Sequence, residues 1–376
     1  MRSGARRVAS PRDATDGQRR GPRRARLRGG VERPRRRCEP RGRSDSVRPS
    51  RGGSRPRRAI HGMPSAGVGR GHNNLRSMNL QNMPDAEVAI VVSLVRALLC
   101  DQHEDLASLP LVEAGEGWDN KLFRLGDDFV VRLPRRQIAA ALIEHEQRWL
   151  PVLAPRLPLP VPAPVRVGRP GCGFPWAWSV SPWFVGETAA TLSGHTEATA
   201  VRLGEFLAAL HQPAPVDAPL NPFRTSLASR SDVFVERLQR CGRQIEHASA
   251  LAVWRATLAT PGWSGQSVWL HGDLHPGNLV VNDGRLTAVI DFGDLTAGDP
   301  AVDLAVAWML WPENVRGTFR ATIDRLTRRL DDGVWRRARG WALSFGVASL
   351  ANSLDDPLTG SIGHRTIAAV LADRDA

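Results

Sequence analysis

Asp273, Asn278 and Asp291 are the residues of this chain whose types and spacing could do chemistry together. Asp273 follows His271-Gly272 and is separated from Asn278 by four residues; Asp291 heads the triplet Asp291-Phe292-Gly293. Between them lie two apolar runs, Leu279–Val281 and Leu286–Ile290, joined by Asn282-Asp283-Gly284-Arg285. An Asn-Asp-Gly sequence between apolar runs predicts a tight hairpin turn. The stretch therefore reads as a loop, a hairpin and a second loop, delivering an Asp, an Asn and another Asp to one rim. The chemistry that needs this set is phosphoryl transfer from a metal-bound nucleotide, whose loose transition state asks the protein mainly to position groups and neutralise charge. Magnesium takes hard oxygen ligands and few of them from protein. Asn278 offers an amide oxygen and Asp291 a carboxylate, which leaves Asp273 to orient and deprotonate an attacking hydroxyl.

The spacing is that of H-R-D-x-x-x-x-N followed by D-F-G in protein kinases. Here Gly272 replaces the Arg, which argues against a protein kinase regulated through that residue. An Asp–Asn pair alone is ordinary turn chemistry; the pair with the hairpin and the D-F-G is not. The run H-G-D-L-H-P-G-N…I-D-F-G-D resembles the aminoglycoside phosphotransferase family of small-molecule kinases, over about residues 84–376. The resemblance implies an α+β, protein-kinase-like bilobal fold, with a β-rich N-lobe over a helical C-lobe and ATP or GTP between them. It also implies Mg2+ as cofactor and a hydroxyl of a small molecule, such as an aminoglycoside, as acceptor. It does not name the acceptor, because the family also phosphorylates macrolides, choline, homoserine and sugar amines. Two other readings stand beside it: a metabolic kinase of the same fold, and a catalytically silent relative that only binds nucleotide or ligand. The intact set of Asp273, Asn278 and Asp291 speaks against the silent relative. Asp303 resembles a family carboxylate that braces the catalytic loop and is assigned a structural role. His271 is expected to pack and hydrogen-bond within the loop. His275 either braces the loop or approaches phosphate.

These groups need elements to position them. Pro84-Asp85 is expected to open a helix, with Asp85 as cap and Val88, Val91, Val92, Val95, Leu98 and Leu99 at helical spacing. Leu111–Glu113, Lys121–Leu125 and Phe129–Leu133 read as a meander of strands. The first turn, Ala114 to Asn120, stands where kinases lay a glycine-rich loop over the phosphates, so the backbone around Gly115 and Gly117 is a candidate phosphate contact. This loop resembles the W-D-N segment common in this branch of the family. The third strand should carry a cation to the phosphates, Lys in kinases. The only lysine in the chain is Lys121, on the preceding strand, and Arg132 occupies the third strand instead. An Arg between apolar neighbours needs a partner. The following helix, Arg136–Leu150, supplies one. Ile138, Leu142, His145 and Trp149 form its expected apolar arc, Glu146 lies at the edge of that arc and Glu144 points to solvent. Glu146 is thus the expected partner of Arg132, and Pro151 is expected to end the helix. Residues 155–175 read as irregular and Trp176–Val180 as a strand. Ser181–Glu187 should be the hinge, where Trp183 and Phe184 either contact the base or pack between the lobes.

After residue 190 the pattern turns helical: Ala198–His211, with His211 as a helix-end residue, Asp232–Ala259, Ala301–Trp311, and about 314–330, 333–352 and 362–373. The lobes are accordingly placed at 83–185 and 186–376. Residues 1–82 carry 23 Arg against five acids, a net +18, and no aromatic residue; all 22 aromatics follow. Such a segment cannot build a core and is read as disordered. It is upstream sequence ahead of a true start at Met78 or Met83, an Arg-rich arm for nucleic acid, or a transit peptide. No nucleic-acid partner is expected unless that arm is expressed. Removal of residues 1–82 is expected to leave folded, active enzyme, and loss of soluble activity on truncation would place the tail in the structure. No apolar run reaches membrane-spanning length. Cys38, Cys100, Cys172 and Cys241 are scattered, giving neither a zinc site nor a disulfide framework, which fits a reducing, cytoplasmic setting. Residues 83–376 are net −5, and Asp291, Asp294, Asp299 and Asp303 follow the catalytic loop. A cleft of one sign concentrates ligands of the other, so a cationic or amine-bearing acceptor is expected.

Overall fold

A computed structural model describes residues 84–373 apart from 192–195, 328, 329, 332, 354 and 355. The Arg-rich segment 1–82 and its expected disorder lie outside the described residues.

The upper lobe is a five-stranded antiparallel sheet in the order β1-β2-β3-β5-β4. Its strands are β1 Leu111–Glu116, β2 Asn120–Leu125, β3 Phe129–Pro134, β4 Arg166–Gly168 and β5 Trp178–Pro182. The three-strand meander is present, and β4 lies in the stretch expected to be irregular. Helix α1 (Val92–Gln102) and the sheet share one core, in which Leu98, Leu99, Phe123, Leu125, Leu133 and Trp178 are fully buried. Each such side chain contributes about 1.5–3 kcal/mol by leaving water. The helix does not open at Pro84-Asp85. Residues 84–91 are not helical, and the backbone N–H of Glu87 donates to Arg135 O at 2.9 Å. The Glu87 carboxylate accepts from Gln137 N at 3.0 Å. Those bonds tie the segment to the end of β3 and the start of α2 (Gln137–Leu153), a long-range use that its helical spacing could not reveal.

Helix α2 bridges the lobes: Ala140 belongs to the upper core, Leu150 and Leu153 to the lower. Its buried face is Ala139, Ala140, Ile143, Glu146 and Leu150, while Ile138 is 70% exposed. The expected apolar arc is therefore misplaced, and Glu146 stands in the middle of the buried face rather than at its edge. Small alanines let the helix lie close to the sheet. Pro151 does not end the helix, which runs on to Leu153. A proline removes one N–H and crowds the preceding turn. So near the C-terminus that loss is small beside the burial of Leu150 and Leu153.

The lower lobe holds two short sheets, β7 (Val268–Leu270) with β10 (Thr296–Gly298), and β6 (Glu187–Thr188) with β8 (Leu279–Asn282) and β9 (Arg285–Val289). The rest is helical: α3 Glu197–Leu210, α4 Ser231–Arg240, α5 His247–Leu258, α6 Ala301–Leu304, α7 Val306–Leu310, α8 Glu313–Leu326, α9 Val334–Ala351 and α10 Pro357–Ala372. The long helical region expected over Asp232–Ala259 is present as two helices, α4 and α5, separated where Gly242 takes φ +57°. The hairpin turn is as read: Asp283 and Gly284 take φ +49° and +72°, the left-handed pair that a two-residue turn of this twist requires. Gly186 brings the hinge against β8, where a Cβ would lie 2.5 Å from Val281 O. No helix among the described residues is long and apolar enough to cross a membrane.

Candidate active site

Pairing of β7 with β10 sets Leu270 opposite Thr296, so the loops that follow β7 and precede β10 leave the same end of one ribbon. The first holds His271–Asn278, the second Asp291–Leu295. Gly272 takes φ +84°, and a Cβ there would lie 2.1 Å from Asp294 O. Contact with the second loop therefore excludes any side chain at this position, which accounts for glycine where kinases carry arginine. Asp303, fully buried at α6, accepts from His271 N at 2.8 Å and Gly272 N at 2.9 Å. His211, capping α3, places Nε2 3.1 Å from the same carboxylate. Burial would raise the Asp303 carboxyl, but the bond to His211 and the neighbouring charges hold it below the usual carboxylate range. It is an ionised brace under the loop.

The His271 ring packs against Phe292 at 4.5 Å between centroids and sets Nε2 2.9 Å from Ile290 O, joining the two loops. His275 uses Nδ1 to accept from Gly277 N at 3.0 Å, capping the turn Pro276–Asn278, and its Nε2 lies 3.7 Å from Asp273 Oδ2. Asn278 is buried; its Nδ2 donates to Asp273 O at 2.8 Å, leaving Oδ1 as the end of the amide suited to a cation. The N–H of Ile290 donates to Asn278 O at 2.9 Å, which fixes Asn278 beside the residue preceding Asp291. Asp291 takes φ +64°, an uncommon conformation for a residue other than glycine, and presents a half-exposed carboxylate.

Arg132 is 7% exposed and Glu146 fully buried; they pair at 2.7 Å. The other arm of Arg132 reaches Asp291 Oδ1 at 3.6 Å, so the upper lobe touches the second loop through this guanidinium. Burial works against charge on Arg132, and Glu146 and Asp291 more than offset it. The first turn is tighter than expected. Strand β1 runs through Glu116, and Gly115, at φ +154°, follows a register shift at Glu113. Gly117 donates its N–H to Asn120 O at 2.8 Å, so that donor is spent within the turn and is not offered to phosphate. Asp119 pairs with Arg136 at 3.0 Å. Burial pushes its carboxyl up, Arg136 opposes, and the charges of Asp291 and Asp273 add to the rise, so the turn overhangs the same rim. At the hinge, Trp183 donates its backbone N–H to Asp128 O at 2.7 Å and its ring lies under Arg124 at 4.3 Å; its contacts are those of packing against the upper sheet. Phe184 is half-buried beside it.

Sequence reasoning missed Arg224 and the role of Asp294. Arg224 ends a short turn capped by Asn221 and donates through Nη2 to Asp273 Oδ1 at 3.0 Å and to Asp294 Oδ2 at 3.1 Å. Its Nε donates to Gly272 O. Asn221-Pro222 signals a turn, but nothing local signals partners 48 to 70 residues away. Asp294 also accepts from Asn221 Nδ2 at 2.9 Å. Its carboxyl is pushed up to about 6 by burial and by the charge of Asp273, against the pull of Arg224. An acid held above its unfolded value binds its proton first in the folded state. Its contribution to stability is thus complete below the ordinary 3.8 and lost as pH rises through about 6. Asp294→Asn is expected to be the more stable protein above that window, by on the order of 2 kcal/mol, and to lose the advantage below it. Denaturant unfolding of both proteins across the window measures this; a constant difference would refute it.

The model of the phosphotransferase enzyme family matches residues 110–341. Among solved structures, the GDP and kanamycin complex of APH(2'')-IIia is 20% identical, with a TM-score of 0.57, over 73% of this chain and 97% of that one. The GDP complex of wild-type aminoglycoside 2'-phosphotransferase-IIIa is 21% identical, with a TM-score of 0.56, over 74% and 97%. Macrolide 2'-phosphotransferase MphH from Brachybacterium faecium, as the apoenzyme, is 24% identical, with a TM-score of 0.51, over 76% and 98%. At these identities the likeness is one of fold. None of the curated proteins compared with the chain matches it.

Proposed function

The chain belongs to the phosphotransferase enzyme family, and from that premise we propose that it moves the γ-phosphoryl group of ATP or GTP to a hydroxyl of a small molecule. The observation that carries this reading is the convergence of the two loops. Asp273 and Asn278 share one, Asp291 heads the other, and Arg132 reaches Asp291 from the upper lobe at 3.6 Å. The oxygen donors of Asn278 and Asp291, an amide and a carboxylate, suit magnesium, which when bound supplies charge neutralisation on the phosphates. Arg132, held by Glu146, steadies the phosphates, and the turn bearing Gly115 and Gly117 closes over them. Asp273, oriented by Arg224, takes the proton of the acceptor hydroxyl. The acceptor oxygen then bonds the γ-phosphorus, and the bond from that phosphorus to the β–γ bridging oxygen breaks. The products are ADP or GDP and a phosphate ester.

The reading is tested by nucleotide binding as magnesium is titrated. Asp291→Asn removes the charge of a ligand and is expected to weaken metal-dependent nucleotide affinity tenfold or more. Equal affinity in both proteins at every magnesium concentration would remove Asp291 from the metal.

The charge expectation for the acceptor rests on fewer free acids than their count in the sequence. Asp294 pairs with Arg224, Asp299 with Arg337 at 2.6 Å, Asp303 is buried under the loop, and Asp291 faces the metal position. These contacts leave the four less free to draw a cation than their count suggests. The second reading, a metabolic kinase acting on a smaller compound of the homoserine kind, is favoured by Arg224, which sets a cation beside Asp273.

A further inference from the structure

Three arginines, Arg224, Arg230 and Arg237, lie within electrostatic reach of one another. Arg224 touches Asp273 and Asp294 directly. Arg230 immediately precedes α4 as its N-cap residue and Arg237 lies seven residues on, two turns along the helix whose buried residues are Phe234 and Leu238. Both are half-buried. Neither has an ion-pair or side-chain hydrogen-bond partner among the described residues, and the Nε of Arg230 is buried without one. The Arg230 guanidinium lies 5.5 Å from the ring centre of Phe223, the neighbour of Arg224 in sequence. Burial lowers the affinity of Arg230 for its proton, and Arg237 and Arg224 lower it further. Burial does the same to Arg237; Arg240 adds to it, Glu236 opposes, and Arg224 adds further. Each of the two thus feels the charge of Arg224. Arg240 differs, because it has Glu236, Ala351 O and Asn352 as partners.

Like charges held together out of water without counter-charge are costly. Asp273 and Asp294 pair with Arg224, and Glu236 offsets part of the charge of Arg237, but neither Arg230 nor Arg237 has a side-chain ion pair among the described residues. The remaining two guanidiniums form a pair of forks, the geometry that matches carboxylate and phosphate oxygens. Arg224 fixes their relation to the chemistry, since it touches Asp273 with one arm and lies within electrostatic reach of both.

We propose that Arg230 and Arg237, with Arg224, form an acceptor subsite for an anion, so that the compound phosphorylated at its hydroxyl also carries a carboxylate or a phosphate group. The proposal rests on the phosphotransferase reading above and deepens it by naming the substrate class. The acid group takes no part in the bond changes; it anchors the acceptor so that its hydroxyl meets Asp273.

Matched acceptors test it with the full-length protein, Mg2+ and ATP or GTP. D-Glycerate, L-homoserine and glycerol 3-phosphate are compared with glycerol and with the amino alcohol that homoserine becomes without its carboxylate; kanamycin is the polycationic control. The expected result is transfer to at least one acid-bearing compound with kcat/KM tenfold or more above its counterpart without the acid group, and the carboxylates and the phosphate ester separate the two anion sources. The Arg230→Gln/Arg237→Gln double variant should raise KM for that compound tenfold or more, and the Lys/Lys double variant should recover part of the loss. Thermal unfolding with the same compounds reads binding where turnover is slow: a midpoint shift by the anions that the Gln variant lacks supports the subsite. Transfer to kanamycin or glycerol but to no anionic compound, an unchanged KM in the Gln variant, or no midpoint shift by any anion overturns it. Failure of magnesium-dependent nucleotide binding, measured in the same samples, is the distinct outcome that overturns the kinase reading itself.

Discussion

Asp273→Ala is expected to reduce phosphoryl transfer by about a thousandfold or more while leaving fold and nucleotide binding in place. A positioned general base contributes roughly 10²–10⁴-fold, and Asp273 also holds the hydroxyl in line with the phosphorus, an orientation effect of comparable weight. Structure should survive because the carboxylate is 41% exposed and its one close ion pair is with Arg224. Arg224 keeps Asp294 and Gly272 O when Asp273 is truncated. Partly exposed pairs of this kind contribute under about 1 kcal/mol. Asp273→Asn sharpens the test: it preserves shape and can still accept from Arg224, yet it cannot take a proton. Both variants should therefore bind magnesium nucleotide and fail in transfer, measured as phosphate-ester formation under single-turnover conditions. Activity within tenfold of wild type in either would assign the base elsewhere.

What the sequence revealed and what it concealed divide by the range of the interactions. Asp273, Asn278 and Asp291 were legible because their spacing is set by a local hairpin, and Asp283-Gly284 states its turn chemistry in two residues. Glu146 was legible as the partner of Arg132 only by elimination: the apolar arc drawn from Ile138 and Leu142 was wrong, since a helix resting on a sheet through Ala139 and Ala140 looks weakly amphipathic. His211 bonds Asp303 from 92 residues away, and Arg224 bonds Asp273 from 49. No periodicity carries such contacts. The same blindness bears on the charge argument. Counting acids near Asp273 in sequence gave a negative rim, whereas folding sets Arg224 and Arg337 against two of those acids and Arg230 and Arg237 near the first.

The same reasoning about buried charge gives the largest expected loss of stability. Glu146→Gln should destabilise the protein by about 3 kcal/mol, because breaking a buried pair leaves a charge without compensation. Arg132 is 7% exposed and would keep only Asp291, at 3.6 Å and half in water. A structural ion pair and a nucleotide clamp make the same prediction for this variant, so it cannot separate them alone. The Arg132→Met/Glu146→Leu double variant does. Replacing a buried pair by apolar groups of similar volume is often neutral or stabilising, so the double variant should recover the stability that Glu146→Gln loses. It cannot recover a cation at the phosphates. If Arg132 holds nucleotide, the double variant is stable and binds ATP and GTP at least tenfold more weakly than wild type, in calorimetric titrations with magnesium present. Stability and nucleotide affinity restored together would make the pair a brace between β3 and α2 and nothing more.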